Sequence, residues 1–380
     1  MRDGLVETKL GQYIHINTGK LDVNAASEFG KYPFFTCSRE TYRIDEAAFE
    51  GESVLVAGNG DLNVKYYDGK FNAYQRTYVL NSIDRSILDN QFLFLYMQSY
   101  IEYLRSETRG TVIQYLKKGQ FTDAKIKLPP LPEQRRIVDL ISSVDSYIEA
   151  LQQQLDSAKR SRNAVLHELL TAGGDDWVET TIGEVVSVVN GGTPSTKSED
   201  YWGGSIVWIT TTELTAFDGK RVNSSKRTIT VDGLRNGPAR LVRAGTTLVG
   251  TTATIGTCAL ADCELTFNQQ ISGLIPLDKD LDDSYLFYWI QHIKSILEGL
   301  SAGTSFKRIS TSVLKTVSIN FPPIGEQKRI AAVISEMDEF IESIQRTSIE
   351  AKNLRSGLLS DLLSGTHEIP VTYDKAMGPA

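Results

Sequence analysis

The sequence is poor in the residues that build metal sites and disulfide frameworks. Only three of its 380 residues are cysteine and only four are histidine. The cysteines are too few and too irregularly spaced for a disulfide framework or a zinc site: Cys37, Cys258 and Cys263. The histidines are widely separated: His15, His167, His292 and His367. These scarcities predict a protein of the reducing cytoplasm that has no metal ion of its own.

The chain also lacks long apolar runs and any surplus of positive charge. It has no stretch of about 18 apolar residues, and its first ten residues do not resemble a signal peptide, so we expect no membrane partner. Forty basic and 47 acidic side chains give a net charge of −7. Residues 1–130 hold 16 basic and 16 acidic side chains, and residues 173–320 hold 13 and 16. A nucleic-acid contact would therefore need local basic faces, or a partner that wraps the duplex.

Catalytic motifs are missing as well. The sequence contains neither a phosphate-binding G-x-x-x-x-G-K-[ST] loop nor an Asn/Asp-Pro-Pro-Tyr stretch. Gly58-Asn59-Gly60 fits a hairpin turn better than a cofactor loop. The pairs Asp175-Asp176 and Asp282-Asp283 fit solvated turns. The sequence therefore predicts no catalytic residues and no cofactor bound by this chain.

The most informative feature present is an internal repeat. Residues 128–170 return as residues 321–363, displaced by 193 positions. Apolar residues recur in alternating steps of four and three over about five heptads, which is typical of a coiled coil. The seam residues are Ile137, Ile141, Val144, Ile148, Leu151 and Leu155 in the first copy and Ile330, Ile334, Met337, Ile341 and Ile344 in the second. One polar seam position is arginine in both copies, Arg162 and Arg355.

Pro-Pro pairs precede both copies and set the point where each helix begins. From Glu133 to Thr171 the first helix would have about 39 residues and a length of roughly 58 Å. A helix of that length with a single apolar seam needs a partner, and the second copy has the matching pattern. We therefore expect the two helices to pair with each other.

The sequence before each long helix has the pattern of a globular segment. Alternating β-branched and aromatic residues between glycine turns predict strands at residues 52–57, 64–67, 74–80 and 205–211. Residues 246–260 alternate glycine with β-branched residues, and residues 267–276 echo residues 71–80. Helical spacing recurs in residues 90–105 and 284–297. The predicted divisions are globular segments at 1–128 and 173–320, helices at 129–172 and 321–366, and a flexible tail at 367–380. Antiparallel helices would hold the two globular segments apart and act as a molecular ruler.

Several motifs, in this order, resemble the specificity subunit of type I restriction-modification systems. They are the PPLPEQRRI and PPIGEQKRI helix starts, the NGGTPS turn followed by the YWGG and IVWITT run, and the TATIG and FNQQI segments. The resemblance covers residues 4–366. It implies an α+β fold in which two pseudo-repeated α/β target recognition domains are separated by two long helices that form an antiparallel coiled coil.

The resemblance also implies a function. Each recognition domain would read one half of a split sequence in double-stranded DNA, and the helices would dock modification (methyltransferase) subunits, two by expectation. A restriction (translocase and endonuclease) subunit would join through the complex. The chain itself would be non-catalytic, and S-adenosylmethionine would bind the methyltransferase subunit.

Candidate DNA contacts are basic or polar residues in loops and exposed strands, because positive charge binds phosphates and polar groups read base edges. In the first segment they are Lys65, Tyr66 and Lys70, expected in one basic hairpin, with Gln75, Arg76, Arg109, Lys117 and Lys118. In the second they are Thr210, Thr211, Lys220, Arg221, Lys226, Arg227, Arg235, Thr254, Gln269, Lys307 and Arg308. Taken singly, each charge fits a solvated surface position and Tyr66 fits a core position; only as groups do they favour DNA contact.

Two other classes of function stay open on the sequence. A scaffold or decoy that binds the modification subunit without DNA would suit the acidic charge balance. A stand-alone sequence-specific regulator would bind DNA without a partner. Electrophoretic mobility shifts with and without the partner distinguish the three classes.

Overall fold

The computed structural model describes residues 6–107, 115–301 and 308–373. The chain divides into two compact units, one made of residues 1–153 and 346–380 and the other of residues 154–345. This division passes through the middle of both long helices, so each unit contains one globular segment and one half of each helix. The domain boundaries predicted from the sequence instead separate each long helix from the globular segment before it, and they stay predictions.

The described residues of the first globular segment form ten strands and two helices. They are β1 (Val6–Lys9), β2 (Ile14–Thr18), β3 (Tyr32–Phe35), β4 (Thr41–Ile44), β5 (Phe49–Glu50), β6 (Ser53–Ala57), β7 (Val64–Tyr67), β8 (Lys70–Ala73), β9 (Thr77–Ser82), α1 (Asn90–Glu107), α2 (Lys118–Thr122) and β10 (Lys125–Leu128). The strands form sheets of order β2-β9-β6-β7 and β4-β3-β8-β5, and β1 pairs with β10. Apolar residues of α1 pack on the first of these sheets, because Phe92, Leu93 and Met97 are fully buried in one cluster with Val54 and Leu80.

The first long helix and the second globular segment follow. Their elements are α3 (Leu131–Thr171), β11 (Val178–Thr181), α4 (Ile182–Val185), β12 (Val186–Asn190), β13 (Trp202–Ile209), α5 (Thr211–Ala216), β14 (Lys220–Val222), β15 (Thr228–Ile229), α6 (Val231–Asn236), β16 (Thr247–Gly250), β17 (Cys258–Ala261), β18 (Leu265–Phe267), β19 (Ile271–Pro276), α7 (Asp283–His292), α8 (Lys294–Leu300), α9 (Thr311–Lys315), β20 (Ser318–Phe321) and α10 (Ile324–Ser364).

The two segments share a topology. The order β12-β19-β16-β17 reproduces β2-β9-β6-β7, with β14 added at the edge as a parallel strand. Strand β13 pairs antiparallel with β15 and parallel with β18, as β3 pairs with β4 and β8. The pair β11–β20 likewise corresponds to β1–β10. The internal repeat therefore extends beyond the helices to the connectivity of the sheets.

The long helices run antiparallel within each unit. In the first unit Ile141 of α3 clusters with Leu359 of α10, and in the second Leu166 of α3 clusters with Ile334 of α10. Residues further along α3 thus pack against residues nearer the start of α10. In both packed pairs the two residue numbers add to 500. The predicted α+β fold with two pseudo-repeated segments and an antiparallel pair of long helices is confirmed.

The predicted seam is buried or half-buried along its whole length. Past Arg162, however, the buried residues are Leu166 and Leu170, whereas Val165 and Leu169 are only partly buried. These last turns share a cluster with buried residues of α7, so a globular segment covers them as well as α10. The alternating spacing of four and three residues between buried positions therefore holds in the middle of α3 and is lost near its end.

Several local expectations differ from the structure. The strand expected at residues 74–80 begins only at Thr77, because residues 74–76 form a turn after β8. The hairpin expected around Lys65 and Lys70 is wrong, because β7 pairs with β6 whereas β8 pairs with β3 and β5. Of the tail expected to be loose, residues 374–380 lie outside the described residues, and Ile369 before them packs into the first core with 5% exposure.

Candidate nucleic-acid interface

Loops at the ends of β6 and β9 meet in the first segment. The Gly58 amide donates to the Arg76 carbonyl at 2.8 Å, and the Leu116 amide donates to the Gly58 carbonyl at 2.6 Å. Asn59 and Tyr115 form an isolated β-bridge beside these bonds. We call the loops that meet here, residues 58–63, 74–76 and 115–118, the first loop cluster.

The second segment builds the same junction. The Thr251 amide donates to the Gln270 carbonyl at 2.9 Å, and the Ile309 amide donates to the Thr251 carbonyl at 2.9 Å. Thr252 and Arg308 form the bridge that corresponds, 193 positions on, to that between Asn59 and Tyr115. Residues 250–254, 268–270 and 308–310 form the second loop cluster. The predicted equivalence of the loops that hold Tyr115 and Arg308 is therefore visible in the backbone.

Three candidates of the first segment make structural contacts. The Lys65 ammonium donates to the carbonyls of Ser38 and Glu40 at 2.9 and 3.0 Å, and burial lowers the pKa of Lys65. Tyr66 packs against Phe94 with ring centroids 5.9 Å apart. Lys70 lies 3.8 Å from a Glu50 carboxylate oxygen. Lys65 therefore braces a loop, and Tyr66 belongs to the edge of the core.

The other described candidates of this segment lie in the first loop cluster. Gln75, Arg76, Lys117 and Lys118 are all exposed. The Lys117 ammonium lies 5.6 Å from the centre of the Tyr115 ring, which is itself 52% exposed. This junction therefore presents cations and an aromatic face to solvent. Arg109 lies outside the described residues.

Polar side chains of the second segment bond to the loop that holds Gln269 and Gln270. The Thr211 hydroxyl donates to the Gln270 amide oxygen at 2.9 Å, and the Thr193 hydroxyl donates to the Gln269 amide oxygen at 2.6 Å. Thr254 has a buried hydroxyl without a hydrogen bond among the described residues. Its neighbour Ala253 has a φ of 64°, a conformation that costs energy for any residue except glycine. Thr254 and Gln269 thus lie in loops of the second cluster, and Thr211 bonds to Gln270 of the same cluster.

A second group of candidates belongs to the same segment. The Thr210 side chain caps α5 by accepting from the Glu213 amide. Burial opposes ionisation of Glu213, but hydrogen bonds from Thr210 and from the Lys226 amide outweigh it and lower the pKa. The Arg227 guanidinium lies 3.7 Å from the centre of the Trp202 ring. Lys226 and Arg227 are therefore held on a rigid support with their charges exposed.

Other candidates of the second segment do not join the loop cluster. Lys220 and Arg221 lie on β14 and line a groove of about 600 Å³ together with Lys328 and Asp338 of α10. Arg221 also contacts Asp262 at 3.3 Å. Arg235 stands exposed on α6. Arg308 lies in the cluster, and Lys307 falls outside the described residues.

The sequence reading missed three features of these sites. Tyr115 is not among the residues that the sequence singles out, although it lies 193 positions before the candidate Arg308. Ala253 gives no sequence signal, because alanine rarely adopts a positive φ. Arg105 of α1 donates to Asp61 in the loop after β6 at 3.0 Å, a contact between elements distant in sequence that spacing does not reveal.

The described part of the chain contains no group of three histidine, cysteine, aspartate or glutamate side chains placed to hold a metal ion. No described helix is long and apolar enough to cross a membrane.

Sequence comparison places these features in a known group. The model of the type I restriction modification DNA specificity domain matches residues 3–160 and 174–353. The specificity subunit of the Escherichia coli type I restriction enzyme EcoDI is 40% identical over 162 residues, which are 42% of this chain and 36% of that protein. The MjaIX specificity subunit of Methanocaldococcus jannaschii is 35% identical over 170 residues, 44% of this chain and 39% of its own length. The chain thus spans less than half of these two relatives.

Longer matches are more distant in sequence. The MjaVIII specificity subunit of the same archaeon is 23% identical over 390 residues, covering 93% of this chain and 86% of that protein. The crystal structure of the S subunit from M. genitalium superposes with a TM-score of 0.61 at 15% identity, covering 96% of this chain and 97% of the other. A chain from a structural study of type I system assembly gives a TM-score of 0.65 at 18% identity, covering 96% and 98%. These structures share the fold, and the family model matches most of the sequence. The chain belongs to the family of the type I restriction modification DNA specificity domain.

Proposed function

We propose that this chain is the DNA-reading subunit of a type I restriction-modification complex and that each globular segment reads one half of a split target. The observation that carries the proposal is the repeated loop junction. Equivalent hydrogen bonds, Leu116 to Gly58 and Ile309 to Thr251, gather equivalent loops at the ends of equivalent strands. These backbone bonds recur in both segments, whereas the exposed side chains around them differ, as two different half-sites would require.

In this proposal the first cluster contacts DNA through Gln75, Arg76, Lys117 and Lys118. The second uses Lys226, Arg227, Gln269 and Arg308, which are exposed. Thr210 caps α5, Thr211 is buried and the Thr254 hydroxyl is buried, so these three support the surface rather than contact DNA. Lys65 and Tyr66 have structural contacts and support the surface rather than contact DNA. Lys70 is 55% exposed and lies outside the first loop cluster. Lys220, Arg221 and Arg235 lie outside the clusters and are not required for reading.

The long helices would dock the modification subunits. Tyr147 on α3 and Phe340 on α10 are separated by 193 positions and are 53% and 51% exposed. Large exposed aromatic residues often anchor protein interfaces. Because the same anchor occurs in each unit, two copies of one partner could bind in the same way. S-adenosylmethionine would bind that partner, and this chain would carry out no catalysis.

The ruler function is tested by shortening both helices together. Deletion of residues 152–158 and 345–351 removes one heptad from each helix and leaves Asp145, Arg162, Asp338 and Arg355 in place. Each helix loses about 10 Å, equivalent to about three base pairs at 3.4 Å each. We expect methylome mapping of cells carrying the complex to show unchanged half-sites separated by a shorter gap. Duplication of the same heptads should lengthen the gap, and an unchanged gap in both variants would refute the ruler.

The acidic charge balance favours a second candidate function. In it the chain is a scaffold or decoy that binds the modification subunit without specific DNA recognition. Mobility shifts with the partner present decide between the two. Sequence-specific retardation by the complex supports the reading function. Retardation that does not depend on sequence, or none at all, supports the scaffold. Specific retardation by the isolated chain indicates a stand-alone regulator.

A further inference from the structure

The polar position in the α3 seam is a buried ion pair in the second unit. The Arg162 side chain is only 10% exposed. Its guanidinium donates to both Asp338 carboxylate oxygens, at 2.8 and 3.1 Å, and so pairs α3 with α10. It also donates to the Gln291 amide oxygen on α7 at 2.8 Å. One side chain therefore joins both long helices to the globular segment.

The first unit contains the same arrangement with the helices exchanged. Arg355 of α10, 19% exposed, donates to both carboxylate oxygens of Asp145 on α3. It also donates to the Gln98 amide oxygen on α1 at 3.0 Å. Asp145, Arg162 and Gln98 correspond to Asp338, Arg355 and Gln291 at the displacement of 193. Each helix thus carries an aspartate followed 17 positions later by an arginine.

We propose that these two ion pairs are positioning devices that select the antiparallel orientation and the register of the long helices. In the observed alignment each arginine meets an aspartate. A parallel alignment of the repeats would instead place Asp145 against Asp338 and Arg162 against Arg355, so that like charges would meet in a buried seam. Polar residues within an apolar seam are known to specify orientation and register in coiled coils.

The same charges discriminate against slipped registers. In the observed register, the numbers of facing residues add to 500. A slip of one heptad in one direction places Arg162 opposite Ala331 and Arg355 opposite Val138. A slip in the other direction places them opposite Gln345 and Gln152. The apolar seam repeats every heptad and tolerates such slips better. Each slip leaves all four charges without their partners, and the cost falls mainly on the two arginines, whose side chains are 10% and 19% exposed against 30% and 43% for the aspartates.

The consequence for function rests on the proposed reading of a split target. Arg162 bonds to α7 and Arg355 bonds to α1, so each arginine also fixes the helix pair against the globular segment of its own unit. Register then determines where along the helices each recognition segment is held. Arg162, Asp338, Arg355 and Asp145 would be positioning residues for the spacing of the half-sites.

The proposal is tested on the full chain by replacing all four charges with leucine: Arg162→Leu, Asp338→Leu, Arg355→Leu and Asp145→Leu. Buried ion pairs can often be replaced by apolar residues without loss of folding, and circular dichroism checks the helix content.

The register of the two helices is measured by disulfide formation in a Cys37→Ser, Cys263→Ser background. Ser161→Cys with Phe340→Cys reports the observed register, since both residues line one groove. Ser161→Cys with Val333→Cys or Thr347→Cys reports slips of one heptad.

In the chain that keeps all four charges we expect cross-linking only at 161–340. The four-leucine chain should cross-link at the slipped pairs as well. Swapping both pairs, with Arg162→Asp, Asp338→Arg, Arg355→Asp and Asp145→Arg, again places opposite charges against each other in the observed register. This swapped chain should return to the single register. Cross-linking only at 161–340 in the four-leucine chain, or slips that persist in the swapped chain, would overturn the proposal. If four leucines prevent folding, Arg162→Leu with Asp338→Leu is read by the same criterion.

A matched control removes the exposed pair Arg329–Glu326, which lies on α10 outside the seam. Arg329→Leu with Glu326→Leu should leave a single register, and slips in this control would remove the special role of the seam pairs. The cross-linking assay contains no DNA, so it stands independently of the reading function. If the four-leucine chain shows slipped registers but the gap in methylated DNA is unchanged, the ion pairs select the register, and the position of the helices does not set the gap between half-sites.

Discussion

A buried glutamine anchors the start of each long helix. Gln134 is 0% exposed, donates to the carbonyls of Ile87 and Pro129 at 2.7 and 2.8 Å, and accepts from the Asp89 amide at 2.9 Å. Gln327 makes the corresponding three bonds in the second unit. One side chain thus satisfies three buried backbone groups where a loop, a Pro-Pro turn and a helix meet.

We expect Gln134→Leu to lower the free energy of unfolding by roughly 2–4 kcal/mol, because leucine leaves those backbone groups buried and without partners. Urea denaturation followed by circular dichroism measures the change. Gln327→Leu should have a similar effect on the second unit. The control Gln153→Leu alters an exposed helical residue and should cost less than about 0.5 kcal/mol. Equal stability of Gln134→Leu and the control would contradict the anchoring role.

A histidine pair gives the second unit a pH-dependent contact. The rings of His167 on α3 and His292 on α7 lie 5.3 Å apart. Burial, and then the nearby His167, lower the pKa of His292 below its ordinary value of 6.5. The folded state therefore prefers the neutral ring. The stability linked to His292 is fully present above pH 6.5 and is lost as the pH falls through 6.5 towards the lower folded value.

We expect the urea midpoint to fall between pH 7.5 and pH 5.5, and we expect His292→Gln to reduce that fall because glutamine has no proton to gain. His367→Gln, a change at the exposed histidine beside Asp361, serves as the control. A fall of the same size in His292→Gln and in the unaltered chain would show that other groups cause it.

Individual side-chain roles were the least predictable feature of the sequence. The repeated arginine of the seam was visible from spacing alone, but its aspartate partner was not, because the partner lies on the other helix. Lys65 was expected to face DNA, whereas its ammonium is held by two carbonyls of a loop that is distant in sequence. Such contacts depend on tertiary packing, which local patterns do not contain.

Helices and sheets were more predictable, since their periodicity is local. Helix α3 was expected over 133–171 and is found at Leu131–Thr171, and β7 matches its predicted range. The expected strand at 205–211 ends instead at Ile209, because Thr210 caps a short helix. The errors thus concentrate at turns and at element ends, where side-chain hydrogen bonds compete with the strand.

The start of β9 provides a test of the first loop cluster. Arg76 immediately precedes this strand and is exposed, and its carbonyl holds the Gly58 amide. Because the backbone makes that bond, Arg76→Ala should leave the fold intact. We expect it to weaken binding of the complex to target DNA by about 1–3 kcal/mol if it contacts a base. Competition mobility shifts with target and scrambled duplexes measure the loss.

The nature of the loss identifies the contact. A base contact would relax the sequence preference at one position, whereas a phosphate contact would weaken all duplexes alike and reduce the salt dependence. Arg85→Ala, which removes an exposed pair with Glu52 outside the cluster, is the control. Binding by Arg76→Ala that equals this control would exclude Arg76 from the interface.

At the scale of the whole molecule, the repeat revealed the architecture but not the division into units. Sequence order suggested alternating globular segments and helices. The compact units instead combine residues 1–153 with 346–380, and leave residues 154–345 as one contiguous unit. This arrangement follows from antiparallel helices, because the start of α3 and the end of α10 pack together. Chain order cannot reveal it until the orientation of the helices is known.

The contiguous unit allows a clean exchange of specificity. Residues 154–345 contain the second loop cluster and also Arg162, Gln291, Asp338 and Gln327. Replacing them with the equivalent stretch of another family member moves a recognition segment together with the helix halves on which it packs. We expect methylome mapping to show one new half-site, while the other half-site stays unchanged and the gap stays unchanged for donor helices of equal length.

Exchange of residues 173–320 alone should also change one half-site, but in a less stable chain, because Gln291 and the apolar residues facing α3 and α10 would come from the donor. A change in both half-sites would show that the two segments do not read DNA independently.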